Sequence, residues 1–129
     1  HIQGTTISWA SHFNVFRNGK GIDLAMDAHR AYAFRNLHQH IKIICSDKPK
    51  QPLRSGGKWE RGLHAARENA YINVEFQFDS DGAPFTVALL NEWPCGYFAN
   101  WYGNREIVMK KHFPGQRIID IGKKPLFDE

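Results

Sequence analysis

Cysteine is scarce in this chain. Cys45 and Cys95 are the only two in 129 residues, too few for a disulfide framework, and reduced thiols in a cytoplasmic protein are the simpler reading. No apolar run approaches the roughly 20 residues that a membrane-spanning helix needs, and the first residues lack the basic-then-apolar pattern of a secretory leader. Both absences point away from a membrane partner. Neither H-E-x-x-H nor C-x-x-C occurs, and the spacing G-x-x-x-x-G-K-[ST] is missing, so neither a metal nor a nucleotide cofactor is expected. Internal repeats and low-complexity tracts are not evident, and no motif assigns the chain to a family.

What is present is an ordinary globular composition: 42% hydrophobic, 23% charged and 13% aromatic, with four Trp and nine Phe. At this length one domain over residues 1–129 is expected, and about two-thirds of the extended chain's surface can be buried without covalent staples. The net charge of +4 is mildly basic, leaving room for a local phosphate-binding patch.

Composition and periodicity predict an α+β fold. Residues 22–37 carry Ala, Met and Leu without Gly or Pro, with Asp23 and Asp27 near the start, which favours a helix. Residues 58–69 read as a second one. Tyr71–Phe78 gives the clearest strand, because Ile72, Val74, Phe76 and Phe78 alternate with Asn73, Glu75 and Gln77, one face buried and one wet. The turn Asp79-Ser80-Asp81-Gly82 then predicts a hairpin whose second strand is Phe85–Leu90. Ile41–Cys45, Glu106–Lys110 and Arg117–Ile121 are further strands; Thr5–Phe16 fits either a strand or a short helix. The expected architecture is two main helices on an antiparallel sheet of four or five strands, a sheet free to curve around a pocket.

Three constellations carry chemistry. Lys48, Lys50, Arg54, Lys58 and Arg61 stand against one acid, Glu60, so this segment alone matches the chain's net charge. Ser55-Gly56-Gly57-Lys58 leads into the expected helix, whose N-terminus attracts anions. The second is a set of seven histidines. His38, His40 and Lys42 point one way if their strand begins early, with His64, Glu75 or His112 as a third ligand, yet the spacing is a weak metal signal and hydrogen-bonded or surface histidines explain it better. The third is Trp93–Gly103, where Tyr97 and Trp101 become neighbours on a helix and form an aromatic face suited to bases, sugars or a flat ligand. Core packing is its plainer explanation.

Catalytic motifs are weaker still. Cys95 with His64 or His112 lacks any evidence of proximity. Glu75-Phe76-Gln77 has Gln where a nuclease E-x-K needs lysine, and a calcium loop opening at Asp79 would need Glu where Leu90 stands. The reading that follows is a non-enzymatic binding module for an anionic or aromatic ligand, using Lys48, Lys50, Arg54, Lys58, Arg61, Glu75, Tyr97 and Trp101. One alternative is a small-molecule pocket protein or enzyme built on Glu75 and nearby histidines; the other is a nuclease-like hydrolase. An anionic ligand, a nucleic acid, a small molecule and a second copy in a homodimer are the partners this leaves open.

Overall fold

β-branched and aromatic residues recur in short runs along the whole chain, and the structure converts these runs into strands. The computed structural model describes residues 3–8, 12–29, 34–56, 68–89, 96–111 and 114–122. Eleven strands occupy them: β1 Gln3–Ser8, β2 Val15–Arg17, β3 Lys20–Ile22, β4 Ala25–His29, β5 Leu37–Ile44, β6 Leu53–Gly56, β7 Ala70–Gln77, β8 Phe85–Ala88, β9 Tyr97–Gly103, β10 Ile107–Lys110 and β11 Arg117–Ile119. No helix occurs among the described residues.

Every strand pairs in parallel with its neighbours. The largest sheet runs β11-β9-β7-β5-β2, with β3 also on β5; a second runs β1-β4-β6 and a third joins β10 to β8. The chain therefore visits the large sheet, crosses to a small one and returns one strand further on: β2 and β3, then β4, β5, β6, β7, β8, β9, β10, β11. The side chain of Gln51, just before β6, ties the third sheet to the second, donating to the Thr86 carbonyl at 3.0 Å and accepting from the Ala88 amide at 2.8 Å. This winding is a parallel β-solenoid, in which each turn rests on the turn before it.

The expected α+β class and antiparallel sheet are thus overturned. Within residues 22–37, Asp23 is a turn at φ 45° and Ala25–His29 is a strand held between β1 and β6; parallel pairing on both sides overrides the helical preference of Ala and Met. Residues 57–67, and with them most of the helix expected over 58–69, lie outside the described residues. The expected hairpin is also absent: β8 pairs with β10, and β7 lies between β5 and β9. Tyr97–Tyr102 is strand, so Tyr97 and Trp101 do not form a helical face.

The turns share one pattern that unequal loops conceal. Register aligns Phe16, His38, Tyr71, Phe98 and Ile118 in one column. Two residues later stand Asn18, His40, Asn73, Asn100 and Asp120, all with positive φ between 49° and 58°. Left-handed backbone at a non-glycine residue suits Asn and Asp best, and here it bends each long strand so that two successive residues face outward. Burial runs in, out, out, in, out, in along His38–Ile43 and again, bar a 7% exposed Asn73, along Tyr71–Phe76. Spacings between equivalent residues vary from about 20 to about 33, which leaves no fixed period to detect. A second column, Asn14, Asn36 and Asn69, precedes each strand. Asn14 Nδ2 donates to Asn36 Oδ1 at 2.9 Å, and the Asn36 backbone N–H donates to Asn69 Oδ1 at 2.8 Å, so the buried side chains of Asn36 and Asn69 find partners in the adjoining turns.

The core lies inside the coil. Trp101, Tyr71, Phe76 and Phe98 are its largest fully buried side chains, each contributing about 1.5–3 kcal/mol on burial. Rings stack along the axis: Phe16 on His38 at 4.8 Å, His38 on Tyr71 at 4.8 Å and Tyr71 on Phe98 at 5.5 Å, close to the spacing of adjacent strands. Gly103 stands in register with Phe76 but is exposed, and a Cβ there would sit 2.5 Å from the Phe76 carbonyl oxygen.

Candidate functional site

The left-handed bend splits the outer face of the large sheet into two strips. After the bend, the outward positions of successive turns are Lys20, Lys42, Glu75 and Tyr102, aligned by register. The bend itself contributes His40, Asn73 and Asn100. Between them lies an open depression of about 120 Å³ lined by His40, Ile41, Lys42, Asn73, Glu75 and Tyr102. Lys42 Nζ lies 3.5 Å from Glu75 Oε1, with both side chains a little over one-third exposed. Asn100 Nδ2 donates to Asn73 Oδ1 at 2.9 Å, fixing the amide that forms one wall. The depression thus combines a charge-balanced pair, a carboxamide array, an imidazole and a phenol on a rigid sheet. Among its lining residues Glu75 is the one carboxylate.

The predicted site residues are dispersed. Glu75 is in the depression, together with Asn73 and His40, the groups expected on the wet sheet face. Lys48 and Lys50 are exposed in the connection after β5, whereas Arg54 belongs to β6, in register with Asp27. Lys58 and Arg61 lie outside the described residues. Ser55 and Gly56 continue β6, and the expected helix start after them lies outside the described residues. Tyr97 is 38% exposed on the other strip of the sheet, with the Arg117 guanidinium 5.9 Å from its ring centroid. Trp101 is completely buried, and its indole N–H donates to the Tyr71 carbonyl at 3.0 Å; its role is packing.

His38 and His40 do not point the same way. The bend at His40 (φ 54°) leaves His38 inside and His40 outside, so they share no chelating face. His64 and His112 lie outside the described residues, and among those described no three His, Cys, Asp or Glu side chains converge on a metal position. Burial lowers the His38 pKa from its ordinary value to about 4, so this imidazole is neutral at pH 7. Cys45 is a buried free thiol whose pKa burial, helped by Asp23, pushes up to about 11, the opposite of an activated nucleophile. Burial alone would raise the Asp23 carboxyl, but hydrogen bonds from Ser46 and the Lys50 amide hold it below its usual range.

The sequence set Lys42 beside His38 and His40 with Glu75 as a possible third ligand, but it did not pair Lys42 with Glu75 or bring in Tyr102. The signal that unites them is positional: each stands two residues beyond a His or Asn in the left-handed column. Neither a family model, a curated protein nor a solved structure matches the chain.

Proposed function

We propose that the chain is a carbohydrate-binding module whose site is the depression between Lys42, Asn73, Glu75 and Tyr102. The observation that carries this reading is the pairing of Lys42 with Glu75 beside the Asn73–Asn100 amide pair. Charge-balanced donors and acceptors next to an aromatic side chain match the hydroxyls and the apolar ring face of a pyranose. An anion gains little here, because the Lys42 charge is already balanced by Glu75. Hydrolysis is disfavoured as well, since glycoside cleavage ordinarily uses two carboxylates flanking the bond and Glu75 is the one that lines the depression. The proposal keeps the binding-module class and replaces the anionic ligand with a neutral one.

Isothermal titration with a panel of neutral and acidic oligosaccharides tests it. A neutral oligosaccharide is expected to bind with little dependence on salt. Glu75→Gln and Tyr102→Ala should each weaken it about tenfold or more, the loss of one good polar or stacking contact. Binding confined to polyanions and abolished by salt, or binding unchanged in both variants, would overturn the assignment.

A further inference from the structure

A solenoid cut at any point ends in a step, and both described ends of this one show it. At the first end, β1 extends the second sheet one turn beyond β4, whereas β2 and β3, which share a turn with β4, begin the large sheet. At the far end β11 extends the large sheet one turn beyond β9, whereas β10, which shares a turn with β9, ends the third sheet. The two steps have opposite sense and are therefore complementary. Setting β1 of a second copy against β10 brings that copy's β2 and β3 against β11. Among the described residues β2, β3 and β11 each have a strand neighbour on one side alone, the arrangement that templates further pairing.

The side-chain columns continue in kind across such a junction. Gln116 meets Asn14, prolonging the amide column; Ile118 meets Phe16, prolonging the inward apolar column; Asp120 meets Asn18, prolonging the left-handed one. Outside the coil Arg117 meets Val15 and Ile119 meets Arg17. Exposed apolar residues fall in the same places: Phe13 (67%), Val15 (58%) and Ile22 (56%) belong to the first turn and Ile119 (51%) to the last, with Tyr97 the one exception among the described large hydrophobics. We infer that the chain associates head to tail with further copies of itself, β2 and β3 of one copy adding in parallel to β11 of the next. The contact is heterologous, so it propagates into an open series and does not close as a dimer.

Two substitutions on exposed positions block one end each. Val15→Lys would stack beneath Arg117 of the preceding copy, and Ile119→Lys above Arg17 of the following one; like charges directly opposite on neighbouring strands repel. Ile22→Lys is a second variant for the first end. Sedimentation velocity of the 129-residue chain over a wide concentration range is the measurement, with thermal unfolding as a check that each variant keeps its fold. Wild-type protein is expected to more than double its weight-average mass as concentration rises, about twofold being the ceiling for a closed dimer. Each variant alone should remain monomeric, and an equimolar mixture of Val15→Lys and Ile119→Lys should stop at a dimer, because one intact end of each kind remains. A wild-type chain that stays monomeric throughout overturns the inference. So does association that persists in either variant alone, which would indicate a different surface.

Discussion

His38 shows how a single ionisable group can be read through its surroundings. Its ring is fully buried and stacked between Phe16 and Tyr71, so protonation would place a charge among aromatic faces with little water to solvate it. The folded-state pKa is about 4, against roughly 6.5 in the unfolded chain. The unfolded state therefore binds the extra proton between these values, and stability, complete above about pH 6.5, falls as pH drops towards 4. Linkage puts the loss from this group at about 2 kcal/mol between pH 7 and pH 5. His38→Phe preserves the ring stack and removes the titration. Urea unfolding at the two pH values should show a variant less sensitive to acid than the wild type by about that amount. Equal pH sensitivity in the two proteins would show that the His38 environment is not the source.

The left-handed bend is what turns a strand into part of a solenoid. Asn18 is exposed and holds φ at 58°, so its backbone preference can be tested without disturbing the core or the candidate site. Asn18→Gly should change stability by no more than a few tenths of a kcal/mol, and Asn18→Val should cost about 1–2 kcal/mol, since a β-branched residue resists this conformation. Thermal melts of the two variants decide the matter; a valine variant as stable as the glycine one would mean the bend is not held there. The same device explains what could be read from the sequence and what could not. The alternation of Val74, Phe76 and Phe78 revealed a strand with one wet face, and Asn73 and Glu75 on that face do line the depression. It put Ile72 inside, however, because alternation cannot register a bend at Asn73; Tyr71 takes the inner place. A half-wet strand usually belongs to an antiparallel sheet, and only the coil's closed interior lets parallel strands keep one face in water. Ala25–His29 resembled a helix because nothing local reports the β1 and β6 partners on either side.

At the scale of the molecule, each turn is stabilised mainly by the turns adjoining it, so stability should vary along the axis. β7 is paired along most of its length with β5 and β9, and it places Tyr71, Val74 and Phe76 in the core. Among the described residues β2 and β3 rest on β5 alone, and β11 on β9 alone, each through three residues. Opening a terminal turn exposes one strand interface; opening β7 exposes two, together with the ring stack that crosses it. Native-state amide exchange, measured at a concentration where the chain is monomeric, should therefore be slowest in 70–77. It should quicken through 37–44 and 97–103 and be fastest in 15–22 and 117–119. The spread should reach several kcal/mol, since frayed termini open with almost no cost while central strands exchange only on global unfolding. Uniform protection across these segments would sink the nearest-neighbour picture, because it would require the terminal turns to unfold only together with β7. A gradient that instead falls from one end to the other would place the most stable interface at a terminal turn, contrary to where the ring stack and the paired strands lie.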